Sequence, residues 1–131
     1  MTLTLSDAQT LADANAAAWN SGDPAQVASF YAEDGGIVIN RGEPWQGRAK
    51  VAEMAAGFFA DVPDLALVCE SVRLAGDHMV YAWRFTGHDA GTTAPLNIPG
   101  WEEWDLDAEG RVRASRGWFD AEDYARQAAG G

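Results

Sequence analysis

The spacing of apolar residues changes once along the chain, and this change constrains the fold more than any other feature. Up to about residue 62, apolar side chains recur at helical intervals, as in Val51, Met54, Ala55, Phe58 and Phe59. From Leu65 onward the period is two, and one strand face carries Met79, Tyr81, Trp83 and Phe85. Helices followed by successive strands predict an α+β fold with a curved, mostly antiparallel sheet. Alternating βαβ units are absent, which argues against a doubly wound nucleotide-binding fold.

Turn and capping residues divide the first half into elements. Ser6–Gln9 has the form of a capping box and predicts a helix that runs to about Asn20. Asp23, followed by a proline, predicts the start of a short second helix. Gly35 and Gly36 are expected to break that helix before a strand over residues 37–39, and a third helix is expected from about Arg48.

The second half predicts a meander of strands separated by turns. The expected strands cover residues 65–74, 78–86, 101–106 and 111–119, with Asp120 at the start of a short final helix. No repeat, linker or shift in composition marks a boundary, so residues 1–131 are expected to form a single domain.

Charge and cysteine content exclude several classes of protein. Nine Lys and Arg residues oppose twenty Asp and Glu residues, for a net charge of -11. Nucleic acids and anionic membrane surfaces require a basic footprint, so neither is an expected partner. The single cysteine, Cys69, excludes an internal disulfide and is expected to be a buried thiol. Residues 1–5 lack the features of a signal peptide, and the expected location is cytoplasmic.

Several short motifs occur in an order that is typical of one superfamily. They are Trp19–Asp23, Phe30–Asp34, Trp45–Arg48, Asp107–Val112 and Trp118–Asp120. In this order the chain resembles the nuclear transport factor 2-like superfamily, and most of all its SnoaL-like polyketide cyclases and ketosteroid isomerases. The resemblance implies a cone-shaped, cystatin-like fold whose helices pack on the concave face of the sheet. It also implies an apolar pocket between the sheet and the first and third helices, with no cofactor and no metal.

Four polar residues are candidates for catalysis in that pocket. Glu102 resembles the second oxyanion-hole acid of the isomerases, but a slip of one residue would turn it to solvent. Asn15 takes the place of the isomerases' tyrosine on the first helix. Asp120 resembles the general acid/base of the cyclases, although Asp is also a preferred helix cap. His88 resembles the histidine of the cyclases' mouth loop, although a lone loop histidine is often simply exposed.

Aromatic and apolar residues are expected to line the pocket or to form ordinary core, and some of them both. The predicted ligand-binding residues are Trp19, Met54, Phe58, Tyr81, Trp83, Phe85, Trp104 and Phe119. Two His residues and one Cys far apart in sequence give no metal-binding pattern.

The chain also departs from the relatives it resembles. The stretch from Ile37 to Asn40 lacks the base carboxylate of the isomerases, and Gly117 follows Arg116 where the limonene epoxide hydrolases have an acid. The predicted function is therefore cofactor-free acid/base chemistry, as in a cyclase- or isomerase-like lyase or isomerase. The substrate class is a small, mostly apolar or aromatic carbonyl compound.

Two further functions remain open from the sequence. The same pocket could bind a small molecule without chemistry, which the missing base at the end of the first strand favours. The outer sheet face could also form a homodimer, an arrangement that is compatible with either function. The arginines expected on that face are Arg73, Arg84 and Arg113.

Overall fold

Three helices precede most of the sheet in the computed structural model, which describes residues 3–131. Met1 and Thr2, part of the stretch considered for a signal peptide, lie outside the described residues. In chain order the elements are α1 (Leu5–Ser21), α2 (Pro24–Ala28), β1 (Tyr31–Ile39), β2 (Trp45–Gln46), α3 (Arg48–Asp61), β3 (Ala66–Ala75), β4 (His78–His88), β5 (Pro95–Leu106), β6 (Val112–Phe119) and α4 (Ala121–Ala128).

The six strands form one sheet in the order β2-β1-β6-β5-β4-β3. Only the β1–β6 pair is parallel among the described strands, and the other four pairs are antiparallel. This arrangement confirms the predicted α+β class with a curved, mostly antiparallel sheet. It also pairs β1, from the first half of the chain, with β6, from the second half.

Side-chain caps fix where the helices begin. The predicted start of α1 at Ser6 is wrong, because Thr4 is the N-cap: Thr4 Oγ1 accepts from the Asp7 amide at 3.1 Å. The Asp7 carboxylate in turn accepts from the Thr4 amide at 2.9 Å, which completes a capping box two residues earlier than expected. Asp23 caps α2 as predicted, accepting from the Ala25 amide at 3.0 Å.

Two strands begin earlier than the sequence suggested. Gly35 and Gly36 lie inside β1 rather than before it. A Cβ at Gly35 would stand 2.4 Å from the Val112 carbonyl oxygen. Close approach of backbones therefore requires glycine there. β5 begins at Pro95, six residues before the predicted start, and a second proline, Pro99, lies just before the residues that pair with β6. A proline is tolerated where one side of a strand has no partner.

The core lies between the helices and one face of the sheet. Its largest fully buried side chains include Trp104, Tyr31, Tyr81 and Met79. Cys69 was expected to be buried, but it is half-buried on β3. Its sulfur lies 3.6 Å from the side-chain Nε2 of Gln9 on α1. Within residues 3–131, no helix is long and apolar enough to cross a membrane.

Candidate functional site

A cavity opens between α1, α3 and the inner face of the sheet. The cavity has a volume of about 50 Å³, which is room for several waters or one small organic molecule. Its walls are almost entirely apolar, and only two residues bring a polar group that is not a phenol or an indole. The lining residues are Asn15, Trp19, Val27, Tyr31, Ile37, Ile39, Met54, Phe58, Leu65, Leu67, Trp83, Phe85, Glu102, Gly117, Trp118 and Phe119.

Strand alternation turns Glu102 into this cavity. Along β5, Glu102, Trp104 and Leu106 are buried, whereas the residues between them are half-buried on the opposite face. Glu102 is 7% exposed, although glutamate is almost never buried without a charged partner. On β6 its neighbour across the ladder is Gly117, which has no side chain to fill the space in front of the carboxyl.

The carboxyl of Glu102 is held by one of its two oxygens. Trp104 Nε1 donates to Oε1 at 3.0 Å, and Ser115 Oγ donates to the same oxygen over a long 3.4 Å. Trp83 Nε1 lies close enough to lower the pKa of Glu102, but it makes no hydrogen bond of regular geometry. Oε2 therefore has no hydrogen bond from any group in residues 3–131.

Burial governs the protonation of this site. Desolvation raises the pKa of Glu102 above its ordinary value, and the donors around Oε1 only partly oppose this effect. Burial, and to a smaller extent the nearby Glu102, also raise the pKa of Tyr31 and Tyr81, so both phenols stay neutral. Glu102 is thus the carboxyl of the cavity wall, and burial favours its protonated form.

Asn15 supplies the second polar group. It lies on the buried side of α1, is 2% exposed and lines the cavity. Its Oδ1 is buried without a hydrogen-bond partner among residues 3–131. Buried amides normally find partners, so an unpaired one at a cavity wall is a group that a bound molecule can satisfy.

The predicted lining residues divide into two groups. Six of the eight line the cavity: Trp19, Met54, Phe58, Trp83, Phe85 and Phe119. Tyr81 and Trp104 do not line it, because they are fully buried in the core and pack edge to face with ring centroids 5.5 Å apart. Trp104 still acts on the site through its hydrogen bond to Glu102.

Two predicted catalytic residues lie away from the cavity lining. Asp120 is exposed and caps α4, where its side chain accepts from the Asp123 amide at 3.0 Å. His88 is exposed at the end of β4, and its Nδ1 lies 2.6 Å from Asp64 Oδ2. The hydrogen bond from His88 lowers the pKa of Asp64. The structure thus brings Glu102 and Asn15 together and leaves Asp120 and His88 outside.

Sequence reasoning missed part of the lining. Leu65 lies just before β3, Leu67 lies at its start, and Ile37 and Ile39 come from β1. The β-branched run of β1 was a usable signal, because alternate residues of that strand share one face. Trp118 also borders the cavity, and it stacks on the exposed Trp101 with ring centroids 6.3 Å apart.

Residues 3–131 contain no group of three or more His, Cys, Asp or Glu side chains placed to hold a metal ion. The acids of this part of the chain lie mainly on outer faces, in turns and at helix starts. The candidate chemistry of the site is therefore carried by the Glu102 carboxyl, the Asn15 amide and the aromatic walls.

Comparison with known proteins identifies the family. The model of the SnoaL-like domain matches residues 12–115. The chain belongs to the SnoaL-like domain family. Among curated proteins, none matches the sequence.

Two solved structures share the fold of this SnoaL-like protein. A hypothetical protein with a ketosteroid isomerase-like fold from Catenulispora acidiphila, in complex with trimethylamine, is 22% identical with a TM-score of 0.84, covering 91% of this chain and 92% of that one. A putative SnoaL-like polyketide cyclase from Jannaschia sp. is 18% identical with a TM-score of 0.78, covering 93% and 94%. The family match confirms the predicted superfamily, and the two structural similarities confirm its α+β fold.

Proposed function

We propose that this protein binds a small, mostly apolar organic molecule in the aromatic cavity and that Glu102 exchanges a proton with it. The observation that carries the proposal is the buried carboxyl of Glu102, which faces the cavity and keeps Oε2 free of hydrogen bonds from residues 3–131. Burial raises the pKa of this carboxyl toward the range in which an acid/base group works best. The complex of the Catenulispora acidiphila relative with trimethylamine is consistent with a small organic ligand on this fold.

In its enzymatic form, the proposal is the cofactor-free chemistry expected from the sequence. The ionised Glu102 carboxylate removes a proton from the carbon next to a carbonyl group, and the electron pair moves to the carbonyl oxygen to give an enolate. The Asn15 amide N–H can donate a hydrogen bond to that oxygen. The proton then returns from Glu102 to another atom of the same molecule, so that no cofactor is consumed. A cyclase or isomerase uses this pair of steps.

A binding module without chemistry is the second candidate. It is favoured by the positions of Asp120 and His88, which leave a single carboxyl as the acid/base group of the cavity wall. The two forms share the ligand site and differ in whether the bound molecule loses a proton from carbon.

Hydrogen–deuterium exchange of cyclohexanone separates the two forms. The protein in D₂O should accelerate exchange at the carbons next to the carbonyl, as followed by ¹H NMR, and Glu102→Gln should remove the acceleration. Glu103→Gln is the matched control, since Glu103 is the next residue of β5 but contacts His78 and Arg116 on the opposite face. It should exchange like the unmodified protein.

The other outcomes are equally informative. Cyclohexanone that quenches tryptophan fluorescence saturably, with no accelerated exchange, would support the binding module, because Trp19 and Trp83 line the cavity. Neither quenching nor exchange, or equal exchange by the Glu102 and Glu103 variants, would refute the proposed role of Glu102.

A further inference from the structure

The cavity wall contains an acid without a matching base. Glu102 is the one acid in the wall, and among residues 3–131 no Lys, Arg or His side chain lines the cavity. Arg41 comes close from outside, with its guanidinium carbon 6.0 Å from the centre of the Trp118 ring, but it is exposed and absent from the lining. A buried carboxyl usually has a cationic partner, and here the folded chain does not supply one.

We propose that the bound molecule carries a basic amine nitrogen, which as an ammonium group pairs with Glu102 inside the aromatic walls. This inference rests on the proposed ligand site and names the group that exchanges a proton with Glu102. The described chain leaves Glu102 Oε2 free as an acceptor, and an N–H of an amine is a donor of matching polarity.

The aromatic walls of the cavity, like the Glu102 carboxyl, favour an ammonium group. Seven of the sixteen lining residues are aromatic: Trp19, Tyr31, Phe58, Trp83, Phe85, Trp118 and Phe119. The faces of aromatic rings carry partial negative charge and attract cations, most strongly where water is excluded. The apolar substituents of an alkylamine would meanwhile contact the same rings and the aliphatic lining. A carboxyl group surrounded by aromatic rings therefore favours an organic cation over an anion, which would meet an acid without a compensating base.

Proton balance is simple for this pairing. A neutral amine that meets the protonated Glu102 carboxyl takes its proton and forms an ammonium–carboxylate pair, with no net exchange with solvent. An ammonium ion that meets the protonated carboxyl releases one proton to solvent. No oxidant, reductant or further reactant is needed. A hydrogen-bond donor elsewhere on the same molecule is also compatible, since Asn15 Oδ1 is an acceptor without a partner among residues 3–131.

Three probes of one ring size test the inference: cyclohexylamine, cyclohexanol and cyclohexanone. Binding is measured by tryptophan fluorescence and by calorimetry at pH 7. We expect cyclohexylamine to bind at least about tenfold more tightly than the two neutral probes, because a hydrogen bond to a charged group is stronger than a neutral one. In Glu102→Gln this preference should fall to about twofold or less, whereas Glu103→Gln should retain it.

The possible results distinguish the pairing with an amine from the ligand site itself. Neutral probes that bind as tightly as the amine would overturn the inference and leave the proposed ligand site standing. No binding by any of the three would overturn both. The comparison of probes on the unmodified protein does not require any variant to fold. A preference for the amine that persists in Glu102→Gln would show that the cation is held elsewhere, and would likewise overturn the pairing.

Discussion

Replacing Glu102 with glutamine should stabilise the protein at neutral pH, although it alters a buried and hydrogen-bonded side chain. Glutamine has nearly the same shape, and its amide oxygen can accept from Trp104 Nε1 and Ser115 Oγ as Oε1 does. What glutamine lacks is the ionisable proton. In the folded protein, burial raises the pKa of Glu102 above the ordinary value of 4.5. Between those two pKa values the folded chain holds a proton that the unfolded chain has lost.

The pH dependence follows from this difference in bound protons. Where the folded state binds one proton more than the unfolded state, the free energy of unfolding falls by about 1.4 kcal/mol per pH unit. The unmodified protein should therefore lose stability relative to Glu102→Gln as pH rises from 4.5 toward the raised pKa of Glu102, and the difference should be constant above it. Total stabilities of domains are about 5–15 kcal/mol, so one pH unit of this slope is readily measured.

Urea unfolding followed by circular dichroism at several pH values from 4.5 to 8 measures the effect. The quantity to plot is the free energy of unfolding of Glu102→Gln minus that of the unmodified protein, which should increase with pH. Glu103→Gln removes the same formal charge from the outer face, where it loses contacts with His78 and Arg116. It should destabilise by about 0–1 kcal/mol at pH 7. A difference for Glu102→Gln that stays flat from pH 4.5 to 8 would refute the reasoning.

Three further predictions concern packing, an ion pair and assembly. Gly100→Ala should destabilise by about 1–3 kcal/mol in urea unfolding, since its Cβ would stand 2.4 Å from the Trp83 ring, whereas Gly57→Ala, with open space in α3, should stabilise by about 0.5–1 kcal/mol. Asp105→Asn should cost up to about 1 kcal/mol at pH 7, and this cost should shrink as pH falls below 3.8, because hydrogen bonds, chiefly from a histidine on β4, lower the pKa of Asp105. Trp101→Glu should convert the homodimer considered from the sequence to a monomer in sedimentation, since Trp101 is 46% exposed on the outer sheet face; an unmodified protein that sediments as a monomer would contradict the dimer.

The inner face of β5 could be predicted only in part, although alternation is local. Glu102 shares the parity of Trp104 and Leu106, which favoured the inner side, but a slip of one residue stayed open from the sequence. The burial of all three residues places the carboxyl on the inner side. The ladder between β5 and β6 does shift register next to Leu106. This shift leaves the alternation along β5 itself unchanged, and so it did not turn Glu102 to solvent.

Long-range pairing was harder to predict. Gly35 has the local appearance of a helix breaker, and only the parallel partner β6, far away in sequence, explains why a strand passes through it. Asp120 fitted both a helix cap and a pocket acid, and the sequence offered no means to decide. The cap geometry now shows its side chain engaged by the Asp123 amide. Whether a residue lines the cavity depends on which strands pair and in which register, and the residue type alone does not determine that pairing.

Three polar groups around one cavity are left without full partners by the described chain: Glu102 Oε2, Asn15 Oδ1 and Trp83 Nε1. Each such group costs stability when it is buried, and a core selected only for packing would replace it with an apolar side chain. A bound molecule that satisfies these groups stabilises the folded state alone, so unfolding should shift to higher temperature as the ligand concentration rises. The cost of burying an ionisable carboxyl, which Glu102→Gln should remove, is also a cost that a bound amine would offset. The substitution that gains stability should therefore lose the preference for the amine.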